Sequence, residues 1–227
     1  MRKIIYGLLV ISLAGNMACN KKSSSKGDKI YDVETAIVHY QTVDMQGMKM
    51  TRTAYISDYG RKESQEVLTE GVMPGTGQTV KVRQVDIRDG NVVYSFQLEH
   101  SMMGKDSVRK EAVKMNIPAE EMNQLNLFSE ANKKKFSYKE EGTEMIAGLK
   151  GTKFSLAPDS TNPASRITAV HYKNIPVKFP MGPGMDFVAE KIELGVNIPG
   201  DRFKVPAGYK ITDQSMPGMP GAKGQGK

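Results

Sequence analysis

The sequence has one cysteine, no tryptophan and three histidines in 227 residues. With no second cysteine, an intramolecular disulfide and a cysteine-pair metal site are both excluded, so stability has to come from a packed core. Seven phenylalanines and nine tyrosines without a tryptophan leave few stacking platforms for sugars or bases. His39, His100 and His171 are far apart, each inside an alternating run, and read as structural or surface side chains rather than ligands. No Gly-x-Ser-x-Gly, His-Glu-x-x-His or phosphate-binding glycine loop occurs. Gly75-Thr76-Gly77-Gln78 lacks the strand-to-helix junction of a nucleotide site. No catalytic residue and no cofactor are assigned, and a non-enzymatic protein is expected.

The single cysteine occupies an informative position. Arg2 and Lys3 form a positive start, Ile4 to Leu13 an apolar run, and Ala14-Gly15-Asn16-Met17-Ala18 leads to Cys19. That order describes a secretory signal, and the run falls short of the ~20 apolar residues needed to span a bilayer. Cys19 directly after a small residue resembles a bacterial lipobox, with Asn16 where such boxes prefer Leu. The resemblance implies cleavage before Cys19 and diacylation of its thiol. No thiol would then remain in the mature chain, and more than one acyl chain would make the attachment stable where one is marginal. Residues 1–18 are expected to be the signal peptide, and residues 19–29 the lipidated cysteine with a Ser-, Lys- and Gly-rich flexible linker.

The formal charge is +7, from 32 basic and 25 acidic residues. Cleavage removes Arg2 and Lys3, two of the 32, and leaves about +5. The excess is scattered near linkers and ends, including Lys21, Lys22, Lys26, Lys29 and Lys133–Lys135. A basic balance can serve nucleic acid, but an exported chain with a dispersed excess excludes it as the expected partner. The acidic run that follows the cysteine in some surface-exposed lipoproteins is missing, which favours the cell envelope with the domain facing the periplasm, on the outer membrane.

From Ile30 the period becomes two. Ala36, Val38 and Tyr40 alternate with Ile37, His39 and Gln41; after turn chemistry at 44–47, Met48, Met50, Ala54 and Ile56 share a face, with Arg52 the exception on it. A further strand is expected over 62–68. Runs over 80–87 and 92–100 flank Arg88-Asp89-Gly90-Asn91, a strong hairpin signal, with Val92, Tyr94, Phe96, Leu98 and His100 predicted on one face. Residues 107–115 and 119–134 lack alternation and are rich in Glu, Gln, Lys, Met and Ala, predicting one or two helices. Pro118 with Glu120 and Glu121 suits a helix start, Met122, Leu125 and Phe128 a stripe, and Lys133–Lys135 a helix end. Strands are predicted over 136–139, 143–146, 150–156, 166–172, 177–179 and 187–194, and Phe203, Val205 and Ile211 close the domain. The expected fold is α+β but mostly β. About ten short strands form one large curved antiparallel sheet, with one or two helices packed on its concave face. The domain would span 30–212, followed by a disordered tail over 213–227.

Three phrases carry a resemblance: Gly142-Thr143-Glu144-Met145-Ile146-Ala147-Gly148 running into Lys153-Phe154, then His171 through Lys178, then Phe203-Lys204-Val205-Pro206-Ala207-Gly208-Tyr209-Lys210. In this order they resemble uncharacterised exported lipoproteins related to the LolA/LolB-like lipoprotein-localisation factors. The resemblance spans about 30–212 and implies a half-open antiparallel barrel with an apolar cavity for acyl chains. Asn174 stands where Gly is usual, a change that Asn tolerates because it accepts left-handed turns. Cys19 shifts the analogy towards a lipidated acceptor.

Methionine is abundant, at 15 residues, with Met45, Met48 and Met50 around one turn. Thioethers fill adaptable apolar surfaces, which suits an acyl-binding cleft. They also select Cu(I), so Met45, Met48 and Met50 are the alternative copper candidates. The expected function is a membrane-anchored envelope lipoprotein that binds a lipid or lipoprotein acyl chain in an apolar cleft, with ligand-binding residues unassigned. The alternatives are a methionine-based copper lipoprotein and a protein-interaction module without a cavity.

Overall fold

The computed structural model describes residues 29–118, 126–157, 165–182 and 185–214. The predicted signal, Cys19, most of the linker, Met122, Leu125 and the tail beyond 214 lie outside the described residues.

One open sheet of thirteen strands dominates. In chain order the first five are β1 (Ala36–Met45), β2 (Met48–Ser57), β3 (Lys62–Val72), β4 (Thr79–Asp89) and β5 (Val92–Met102). Next come the two-residue β6 (Lys105–Asp106) and β7 (Glu111–Asn116). After the helix α1 (Glu130–Lys135) follow β8 (Lys139–Ile146), β9 (Leu149–Leu156), β10 (Ile167–Tyr172), β11 (Ile175–Gly182), β12 (Met185–Leu194) and β13 (Lys210–Asp213). The order across the sheet is β13-β7-β5-β4-β3-β2-β1-β12-β11-β10-β9-β8, with β6 beside β5. Most neighbours are antiparallel hairpins, but β13 lies parallel to β7, so the sheet is mixed rather than purely antiparallel. The junction of β1 with β12 joins β1–β7 and β13 to β8–β12, pairing residues that are far apart in the chain.

The predicted hairpins form where their turn chemistry indicates. Gly90 has φ +59 between β4 and β5, and Lys173 and Asn174 have φ 50 and 66 between β10 and β11, a two-residue loop of the kind that matches strand twist. Gly60, at φ +87, admits no side chain because an added Cβ would lie 2.5 Å from the Tyr31 ring.

The helix prediction over 107–115 is corrected. Residues 111–116 are strand β7, because Ala112 is fully buried opposite Phe96 and β5 supplies its backbone partners. Tertiary pairing here overrides helix-favouring composition. In the second predicted helical region only α1 is seen among the described residues, capped by Ser129 Oγ accepting from Asn132 N, with Glu130 first and Lys133–Lys135 last. Residues 136–138 are turn and irregular chain rather than strand, and 139–146 is one continuous strand. Among the described residues the strand count is thirteen rather than about ten.

The sheet buries side chains on both faces. On one face Ala36, Val38, Tyr40, Met50, Ala54, Ile56 and Val67 pack with Val170, Ile175, Val177, Phe187 and Ala189. Phe179 links this core to a second group, Phe136, Phe154, Leu156 and Ala169, on which Leu127, Phe128 and Tyr138 lie. On the opposite face of β4, β5 and β7, Val85, Ile87, Phe96 and Ala112 are covered by Phe203, Val205 and Tyr209 from the chain leading into β13. A bulge between Arg83 and Gln84 shifts the β4–β5 register. It breaks the predicted single face of β5, leaving Phe96 4% exposed and Leu98 37% exposed.

Candidate functional site

Strands β2 to β5 turn polar side chains to the face on which β1 and β10–β12 build their core. The pairing places Arg52 opposite Val67, Gln65 opposite Ala54 and Glu63 opposite Ile56. It then sets Arg88 beside Glu63 and Asp86 beside Gln65. A hydrogen-bonded track results. Arg52 Nη2 donates to Gln65 Oε1 at 2.7 Å, and Gln65 Nε2 donates to Glu63 Oε1 at 2.7 Å. Arg88 Nη2 and Tyr31 Oη both donate to Glu63 Oε2, at 2.7 and 3.0 Å. Farther along, Ser95 Oγ and Gln84 Nε2 donate to Asp86 Oδ1 at 2.6 and 3.3 Å.

Burial acts differently on the two carboxylates. For Glu63 burial pushes the carboxyl up, but the Arg88 guanidinium, the Gln65 bond and the nearby Arg52 charge outweigh it and hold the group below its ordinary value. For Asp86 burial prevails over its bonds to Ser95 and Gln84 and raises the carboxyl. Burial also raises the Tyr31 hydroxyl well above its usual value and lifts Tyr40 to about 12, so both are neutral donors.

Arg52 stands where this track meets the apolar core. Its guanidinium carbon lies 5.3, 4.9 and 5.3 Å from the ring centres of Tyr40, Phe179 and Phe187, within the range of cation–π attraction. The three rings pack on one another, with Tyr40 edge-on to Phe179 at 5.6 Å. From Arg52 towards the Gln46-Gly47 turn, the same face carries Met50 opposite Val43 and Met48 opposite Met45. Val43, Met45, Phe179 and Met181 pack against the core while staying partly exposed.

The three methionines singled out in the sequence therefore do share a face. Met50 is a core residue, 5% exposed, and Met45 and Met48 are half-buried. The histidines are not brought together. His39 Nε2 lies 3.1 Å from Glu193, and His100 Nδ1 lies 2.5 Å from Ser107 Oγ. His171 sits against Phe128 and Phe154, and burial lowers its pKa. Among the described residues, no group of three or more His, Cys, Asp or Glu side chains is placed to hold a metal ion. Sequence reasoning marked Arg52 as an inward-facing exception. It missed Glu63, Gln65, Asp86 and Arg88, whose common face would have followed from extending the alternation across three strands.

No known protein family matches this chain, and no curated protein matches it.

Proposed function

We propose that the chain is a membrane-anchored envelope lipoprotein, attached through Cys19, that acts as a non-enzymatic binding module for a lipid or a lipoprotein acyl chain. The observation that carries this reading is the partly exposed apolar surface of Val43, Met45, Phe179 and Met181, continuous with the main core. Burying an acyl chain there gains ~0.8 kcal/mol for each CH₂ removed from water, and methionine side chains adapt to chains of varied shape. The exported signal and the lipobox-like Cys19 support placement beside a membrane, on the outer membrane facing the periplasm, where acyl chains are abundant. An open, strongly β sheet is compatible with a half-open, LolA/LolB-like architecture.

Two measurements test the reading. Labelled palmitate should enter the wild-type protein and not the Cys19→Ser protein. Native mass spectrometry of the exported, unlipidated Cys19→Ser protein should show co-purifying acyl lipid, and fatty acids should displace an apolar dye from it. Absence of both lipid adducts and displacement would overturn the binding role, and unlabelled wild-type protein would overturn the anchor.

A further inference from the structure

Arg52 is a half-buried guanidinium that pairs with no carboxylate among the described residues. Of its five N–H donors, Gln65 takes one, and the sealed Nε has no partner among the described residues. The carboxylates close enough to act on it are committed elsewhere. Glu63 is held by Arg88, Gln65 and Tyr31, and Asp86 by Ser95 and Gln84. The aromatic rings of Tyr40, Phe179 and Phe187 fix the guanidinium in place and keep its surroundings apolar. A cation with unused donors in such a setting recruits an anion, and a planar fork suits a carboxylate or phosphate oxygen pair. The surface beside it, towards Met45 and Met181, is apolar and partly exposed. The described ends of the connection from β7 to α1 lie at the other end of the sheet. Ile117 N donates to Asn91 O there, and Asn126 Nδ2 donates to Lys29 O.

We infer that this face selects acidic amphiphiles: the anionic head of an acyl lipid pairs with Arg52, and its chain lies along Val43, Met45, Phe179 and Met181. The inference rests on the acyl-binding reading and adds the head-group chemistry. A positive, aromatic-backed head site joined to an apolar strip is complementary in charge and polarity to such a molecule and to no neutral or cationic one.

The test uses three ligands with one chain length on the full-length Cys19→Ser protein: decanoate, decyl phosphate and decanol, each displacing an apolar dye in mildly alkaline buffer. One or both anions are expected to bind about tenfold tighter than decanol. The stronger of the two tells a fatty-acid head from a phosphate head. Arg52→Gln is expected to bring the anions down to the level of decanol while leaving decanol unchanged, and Arg52→Lys to keep part of the preference. Equal binding of all three by the wild-type protein would overturn the head-group assignment and leave acyl binding standing. Binding of none would overturn both. A preserved anion preference in folded Arg52→Gln protein would also overturn it, and the wild-type comparison decides the matter if that variant does not fold.

Discussion

Arg88 Nη2 lies 2.7 Å from Glu63 Oε2, and the two side chains are only 11% and 9% exposed. An ion pair so far from water persists because each charge also has other partners: Tyr31 and Gln65 for Glu63, and the Arg61 carbonyl for Arg88. Breaking it from one side leaves a buried, uncompensated charge. Arg88→Met is expected to cost about 3–5 kcal/mol, whereas replacing both residues by Met should restore much of the loss. Urea unfolding of the two single variants and the double variant measures this. Single variants costing under about 1 kcal/mol would mean that the pair is solvated.

Glu63 and Asp86 lie on the same face and should pull stability in opposite directions with pH. Glu63 has a folded pKa below the ordinary 4.5. Its contribution is complete above that value and is lost as pH falls through the folded pKa. Asp86 has a folded pKa above the ordinary 3.8. Its contribution is complete below that value and is lost as pH rises through the folded pKa. At neutral pH, Asp86→Asn should therefore stabilise the protein, since the amide oxygen still accepts from Ser95 and Gln84. Glu63→Gln should destabilise it and flatten the acid limb. Urea midpoints followed from neutral to acid pH check both signs, and a destabilised Asp86→Asn would refute the assignment for Asp86.

His171 gives a second, milder pH response. Asn174 N donates to its Nδ1 at 3.3 Å, so the proton of the neutral ring resides on Nε2, 3.4 Å from Tyr138 Oη. Burial lowers its pKa below the ordinary 6.5, and Lys133 adds to the effect. A depressed histidine contributes stability that is present above 6.5 and lost as pH falls through the folded value. Thermal unfolding should show Tm falling as pH drops below the ordinary histidine value of 6.5, and His171→Gln should remove that part of the slope. An unchanged slope would mean that His171 titrates normally.

The elements of the fold and the polar track differ in how far the chain announced them. The hairpins were legible because Gly90 and Asn174 carry the left-handed turns locally. The inward face of β1 and β2 was legible because Ala36, Val38, Ala54 and Ile56 alternate within a few residues. Strand β7 was not, since its pairing with β5 and β13 makes a strand of a segment without strand alternation. The polar track was half legible. Arg52 stood out against its apolar neighbours, but Glu63 and Arg88 are 25 residues apart and meet only through the β3–β4 register. The break in β5 was invisible because a bulge adds one residue without any compositional mark.

The last device is the C-terminal strap. Tyr209 Oη donates to the Gln97 carbonyl at 2.7 Å, and its ring meets Phe96 at 5.4 Å, nearly edge-on. Beyond it, Lys210 N bonds Lys110 O and β13 extends β7 in parallel. The strap therefore closes the core of Val85, Ile87, Phe96 and Ala112, which would otherwise face water. Tyr209→Phe removes only the hydrogen bond and should cost about 1 kcal/mol. Tyr209→Ala also removes the ring over Phe96 and should cost about 3 kcal/mol. If the strap acts as a cover, the Ala variant should speed amide hydrogen exchange in β4, β5 and β7 well before it affects β9 and β10, whose core lies elsewhere. Uniform acceleration across the sheet would instead show that Tyr209 reports only global stability, and equal costs for the two variants would show that its ring contributes no packing.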